Sequence, residues 1–306
     1  MNYKEYAERY KKISFYDQIR NNKIKSFILL IIIVFIIIGL MYIISQVYNP
    51  ALTFFFLIIG IIFSLIYVVI GYYFSDKIAL LSVNAYEAKD KKFNHLNNQI
   101  EGLALAGGLQ KPKVYVMPSK EINAFATGRN PQNSIVCVTE GCLEQLTDRE
   151  LEGVLAHELT HIRNYDIRFV TLAVILVGLI AIISEIFLRS LWFSNSDNDN
   201  KNPIFLIIGI VLAILAPIVA NLVQLAISRK REYMADAGAV QLTRDNSGLI
   251  NALKKIGKYY ETHDKTIANK TVANMFLASP LNAKSLSNLF LTHPPIEERI
   301  KILESM

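Results

Sequence analysis

The stretch Ala156-His157-Glu158-Leu159-Thr160-His161 decides how the rest of the chain is read. Residues four apart on an α-helix share a face, so His157 and His161 can each turn a ring nitrogen toward one metal ion. Glu158 follows His157 directly, where its carboxylate can take a proton from water activated by that metal, the arrangement of a zinc-dependent hydrolase. Thr147-Asp148-Arg149-Glu150 has the pattern of a capping box, and Leu151, Val154, Leu155 and Leu159 recur behind it at helical spacing. A helix carrying both histidines is therefore expected. On the motif alone a plainer alternative stays open: two solvated or packed histidines on an amphipathic helix.

Of the 306 residues, 52% are hydrophobic and 19% charged, an apolar excess for a chain folded in water. The excess is concentrated in four runs, 27–46, 51–74, 169–193 and 204–227, each near the ~20 residues that a bilayer-spanning helix needs. The first run is too long for a cleaved signal peptide, and no small-residue cleavage site follows it before Asn49-Pro50. Lys and Arg collect before the first run, after the second and after the fourth, whereas 194–203 holds Asp197, Asp199 and only Lys201. Cytoplasmic loops carry the excess of Lys and Arg, so both termini and both large polar regions are expected inside, with 194–203 outside. That orientation accounts for the formal net charge of +6, and no nucleic-acid partner is inferred from it. Cys137 and Cys142, the only cysteines, then face a reducing compartment and read as buried, unpaired thiols.

Residues 1–26 place Tyr3, Tyr6, Tyr10 and Ile13 on one helical face, suited to a helix at the inner membrane surface or to a charged leader that only sets topology. From 75 to 168 the composition becomes globular. A helix over 93–105 ends at Gly107-Gly108, and short apolar runs at 114–117, 123–126 and 135–139 suggest a small sheet beside the HExxH helix. An edge of that sheet could hold an extended peptide by main-chain hydrogen bonds. If its helix continues, His161 stands only about 12 Å before the third apolar run, at ~1.5 Å per residue.

A catalytic zinc needs a third protein ligand and an open position. Directly after the fourth run come Glu232 and Asp236, four apart. Glu232 is the best-placed third ligand, and Asp236 could orient a ligating histidine through its far nitrogen. In the tail, 249–260, 271–277 and 285–290 read as helices, and His293-Pro294-Pro295 precedes a final helix beginning at Ile296. No GxxxxGK[ST] sequence is present for ATP.

The blocks Asn123-Ala124-Phe125-Ala126-Thr127-Gly128, His157 to His161 followed by Asp166, Ser228-Arg229 through Glu232 to Asp236, and Thr292-His293-Pro294-Pro295 resemble, in order, those of the HtpX-type membrane zinc metalloproteases, a gluzincin family. The resemblance covers nearly the whole chain. It implies a mainly α integral membrane protein of four transmembrane helices with a cytoplasmic α+β gluzincin-like domain, built from 75–168 and 228–306. It further implies one Zn2+ per chain on His157, His161 and Glu232, with Glu158 as general base and Asp236 orienting a histidine. Asn123, Ala124, Phe125 and Ala126 would border the substrate, and His293 would lie near the site, in a position to stabilise an oxyanion. The implied activity is metalloendopeptidase cleavage of misfolded or damaged membrane proteins at the cytoplasmic face of a bacterial-type inner membrane. Two other readings stand beside it: processing of one lipidated or signal-bearing partner, and a non-catalytic scaffold with a vestigial metal site.

Overall fold

The structure, a computed structural model, describes residues 15–193, 209, 229–262 and 294–306. Helix α1 (Phe15–Tyr48) runs without interruption from the charged leader through the first apolar run. It stops where Pro50 cannot continue it: Asn49 is extended, its side chain accepts a hydrogen bond from Ala51 N, and a short 3-10 turn at Pro50–Leu52 leads into α2 (Thr53–Ser82). Strand β1 (Tyr86–Glu87) and α3 (Asn94–Ala106) follow, the latter ending at Gly107-Gly108 with Gly108 at φ 65°. Then come β2 (Lys113–Met117), β3 (Ala124–Asn130), β4 (Asn133–Thr139), α4 (Glu140–Gln145) and α5 (Asp148–Arg163). Helices α6 (Asp166–Phe193), α7 (Arg229–Thr243), α8 (Ser247–Thr262) and α9 (Ile296–Leu303) complete the described elements.

The chain divides into two compact units, Met1–Lys23, Asp76–Thr171 and Ile227–Met306 forming one, Ile24–Ser75 and Leu172–Ala226 the other. In the first, the sheet order is β1-β2-β4-β3, with β2 and β4 parallel and β3 antiparallel to β4 at the edge. The expected runs at 114–117, 123–126 and 135–139 thus all become strands, while the two-residue β1 carries too little pattern to be read from sequence. Ahead of the β3–β4 turn at Pro131 and Gln132 the ladder carries an irregularity after Gly128, which sits at φ 136°, where a Cβ would lie 2.2 Å from Asn133 O. Helix α5 is the centre of this unit: Leu151, Val154, Leu155, Ala156, Leu159 and Ile162 are all buried in one core with residues of β2, β3, β4, α3 and α8. Both halves of its capping box form, Glu150 N donating to Thr147 Oγ1 and Thr147 N to Glu150 Oε2. Cys137 and Cys142 are free and buried, as expected from sequence.

In the second unit, Leu29, Ile33 and Ile37 of α1 turn inward while Phe35 is 69% exposed and Phe54 of α2 77%. Tyr67 donates to the carbonyl of Ile175 at 2.9 Å, and Gly71 lets Ile175 approach its backbone. Among the described residues α1 and α2 are long and apolar enough to cross a membrane. The third expected run falls within the 28 residues of α6. The fourth, 204–227, lies outside the described residues except for Gly209, as do the loop 194–203, residues 1–14, the expected helices at 271–277 and 285–290, and His293.

Candidate metal centre and catalytic site

The site is made where α5 and α7 lie against each other. Their separation is set by Gly238, which stands opposite Thr160 so closely that a Cβ there would fall 2.4 Å from Thr160 Cγ2. Thr160 is fully buried and its hydroxyl donates to Ala156 O at 2.9 Å, so its proton is satisfied within α5. With the helices this close, Glu232 and Asp236, one turn apart on α7, reach the two histidines of α5.

His157 Nε2 lies 3.1 Å from His161 Nε2. Glu232 Oε2 is 3.7 Å from His157 Nε2, and Glu232 Oε1 is 3.7 Å from His161 Nε2. One donor atom from each of the three residues thus falls within 4.8 Å of the others. A tetrahedral zinc with ligands at about 2.0–2.1 Å has donor atoms about 3.3–3.4 Å apart, a spacing these distances bracket.

The far side of each imidazole is tied down. His157 Nδ1 faces Asp236 Oδ1 at 2.9 Å, and His161 Nδ1 faces Asp166 Oδ2 at 2.9 Å. A carboxylate accepts a proton but cannot donate one when ionised, so both rings are held as Nδ1–H with Nε2 bearing the lone pair. Two such lone pairs 3.1 Å apart repel unless a cation lies between them. The donor set therefore fits a zinc ion: two imidazoles and a carboxylate, with each imidazole backed by a second carboxylate.

The surrounding charges agree. Burial pulls the His157 imidazole down, but its hydrogen bonds to the carboxylates of Asp236 and Glu232 outweigh that and raise it to about 9, so these two carboxylates favour positive charge beside the ring. Burial opposes ionisation of Asp236 as well, yet Arg299 and His157 hold its carboxyl below the ordinary value. Arg299, on α9 and 1% exposed, grips Asp236 with both arms of its guanidinium, Nε to Oδ2 at 2.9 Å and Nη2 to Oδ1 at 2.6 Å. Glu158 is buried on α5, next to His157. Cys142 and Arg299 both feel its charge.

The expected substrate segment is strand β3. Asn123 accepts from Thr139 N at 3.0 Å, and alternation along an antiparallel pair then turns the main chain of Ala124, Ala126 and Gly128 away from β4. At Ala124 that outward N–H is met by Asn123's own Oδ1 at 3.0 Å, and at Gly128 the carbonyl meets Thr171 Oγ1 at 3.4 Å. Asn123 is fully buried, and its Nδ2 donates to Tyr260 OH at 2.8 Å, so its side chain anchors the start of the strand. Phe125 is 1% exposed and packs inward.

The structure thus brings together His157, His161, Glu232, Asp236 and Glu158. Arg299 was missed from sequence, although it shares a helical face with Ile302 and Leu303, and an arginine on an apolar face was the available signal. Asp166, Gly238 and Tyr260 carry no short-range signal of what they contact.

An HExxH helix with a glutamate from a second helix, set in an α+β unit on a chain with apolar helices of membrane-spanning length, defines a membrane metallopeptidase. The family model described as Peptidase family M48 matches residues 90–306. The chain belongs to that family, and its relatives make it an HtpX-type member: it is 43% identical to the protease HtpX homolog of Caldanaerobacter subterraneus subsp. tengcongensis, over 96% of this chain and 99% of that one. It is 41% identical to the protease HtpX homolog of Dictyoglomus turgidum, over 97% of this chain and 96% of that one, and 41% identical to that of Methanocaldococcus jannaschii, over 93% and 97%. Among solved structures, Ste24p from S. mikatae superposes with a TM-score of 0.50 at 20% identity, covering 93% of this chain and 67% of that one, a likeness of fold.

Proposed function

We propose that this metalloprotease holds one zinc ion on His157, His161 and Glu232 and hydrolyses peptide bonds in membrane-protein substrates, serving quality control at the cytoplasmic face of a bacterial-type inner membrane. The observation that carries the reading is the convergence of two Nε2 atoms and a carboxylate whose histidines are both backed by carboxylates at 2.9 Å. Zinc bound there supplies Lewis acidity, polarising a scissile carbonyl and making water acidic enough to attack near neutral pH. Glu158, buried beside His157, accepts the proton that the attacking water loses and returns it to the departing amine. No side-chain nucleophile is needed.

Asp236 and Asp166 keep the imidazoles in the tautomer and orientation that the ion requires. The outward carbonyl of Ala124 and the outward main chain of Ala126 pair with an extended substrate, with Asn123 and Phe125 fixing the strand behind it. His293, directly before Pro294-Pro295, is assigned to the oxyanion. Four spans, at 27–46, 51–74, 169–193 and 204–227, place 75–168 and 228–306 in the cytoplasm, where loops of damaged membrane proteins are within reach.

The test measures zinc content and proteolysis in wild type, Glu158→Ala and Glu232→Ala. Glu158→Ala is expected to keep about one zinc and to lose activity at least ~10²-fold, as removal of a general base does. Glu232→Ala is expected to lose zinc. Equal activity in all three removes the assignment. Comparing the proteomes of cells with wild type and with Glu158→Ala then separates quality control, in which many membrane proteins accumulate, from processing of a single defined partner.

A further inference from the structure

Asn22 stands in α1 just ahead of the first apolar run, among Arg20, Lys23 and Lys25, a setting in which a polar side chain normally faces water. It is 3% exposed. Burying an amide is costly unless its donors are used, and here they are directed at one place. Nδ2 donates to Asp166 Oδ1 at 2.7 Å and to Asn164 O at 3.0 Å. The other oxygen of Asp166 is the one that faces His161 Nδ1 at 2.9 Å. A line of hydrogen bonds thus runs from α1 through Asp166 to an imidazole of the metal centre.

A second contact falls on the same corner. Between α5 and α6 the chain turns at Asn164 and Tyr165, and Tyr165 has φ 61°, a left-handed conformation that an aromatic residue keeps only when its surroundings impose it. Lys23 Nζ lies 4.4 Å from the centroid of the Tyr165 ring. Consecutive residues of α1 therefore hold consecutive residues of the corner that follows the HExxH helix.

We propose that Asn22 is a positioning residue for the metal centre. A carboxylate held by one hydrogen bond can swing about its Cβ–Cγ bond. With Asn22 on Oδ1, Asp166 is fixed at both oxygens, and His161 Nε2 is kept aimed at His157 Nε2 and the Glu232 carboxylate. The inference rests on the reading of His161 as a zinc ligand.

The experiment uses the full chain in detergent, with zinc affinity read by chelator competition and ligand geometry by the visible absorption of the cobalt-loaded protein. Asn22→Ala is expected to weaken zinc binding about tenfold, the low end for loss of an outer partner of a metal ligand, and to shift the cobalt bands. Asn22→Ser, which keeps one donor, is expected to fall between and takes the place of Asn22→Ala if that protein accumulates poorly. In an Asp166→Ala background, adding Asn22→Ala is expected to change affinity less than twofold, because the link it acts through is already cut. Unchanged affinity and cobalt bands on loss of Asn22, or the same tenfold loss with and without Asp166, overturns the proposal. His161→Ala separates the two readings: if it abolishes zinc binding while the Asn22 variants bind normally, only the positioning role falls. If His161→Ala binds zinc as wild type does, the ligand assignment falls as well.

Discussion

Gly238 and Thr160 touch so closely that no side chain can come between them: a Cβ at position 238 would lie 2.4 Å from Thr160 Cγ2 and 2.7 Å from its Oγ1. Each residue lies on one of the two helices that carry the proposed metal ligands, so the width of this contact fixes the distance from Glu232 to His157 and His161. Gly238→Ala is expected to push α7 outward, costing about 1–3 kcal/mol as overpacking does, and to weaken zinc binding in chelator competition. Thr160→Ala in the same chain removes the clashing atoms and is expected to restore most of both. If Gly238→Ala binds zinc with wild-type affinity, the contact does not set the ligand spacing.

Arg299 and Asp236 form a fully buried pair, each 1% exposed at the side chain, with a further 3.8 Å approach of Arg299 Nη1 to Glu232 Oε2. Removing one partner of such a pair leaves the other as an uncompensated buried charge, which costs about 3–5 kcal/mol. Arg299→Met is therefore expected to lower unfolding stability by that amount. It should also weaken zinc binding, because Asp236 would no longer be held against His157. Arg299→Lys restores the charge but not the two-armed geometry, and is expected to recover only part of the loss. Chemical unfolding of the zinc-free variants separates the stability effect from the metal effect.

The local geometry of the HExxH helix was legible in the sequence because it is written in short-range patterns. The capping box at Thr147, the four-residue spacing of His157 and His161, and the break at Asn49-Pro50 are short-range patterns, and the helices and strands built on them appear where expected. The supports of the site are not local. Arg299 reaches Asp236 across 63 positions and Asn22 reaches Asp166 across 144, and no periodicity links such pairs. Gly238 was equally silent, since a glycine within a helix signals a close approach only once the facing helix is known. Asn22 also lies in a segment whose charges the expected membrane orientation accounts for, which hid a polar side chain turned inward.

Cys137 and Cys142 sit on β4 and α4, 1% and 0% exposed. Burial pushes both thiols up, Cys142 to about 12, so almost no thiolate exists near neutral pH. The native protein is expected to resist iodoacetamide at pH 8 under conditions that alkylate free cysteine completely, and to take up two groups in denaturant. Intact mass reads this directly, and rapid modification of the folded chain would contradict the burial.

Asp245 joins α5 to α8 through a concentrated set of bonds. Arg149 donates to it from Nε at 2.7 Å and Nη2 at 2.9 Å, and the first two amides of α8, Ser247 N and Gly248 N, donate at 3.1 Å each. The Arg149 guanidinium first, then Ser247 and Gly248, hold its carboxyl below the ordinary value against a smaller opposing effect of burial. With the folded pKa depressed, the contribution to stability is present above the unfolded value of about 3.9 and is lost as pH falls through the folded one. Asp245→Asn keeps the shape and one acceptor but not the charge. It is therefore expected to be less stable than wild type at pH 7, with the gap closing as the pH is lowered below about 4. Unfolding of the two proteins in parallel from pH 7 to pH 3 measures that gap, and a gap that stays constant across the range would show that Asp245 acts through hydrogen bonding alone, without its charge.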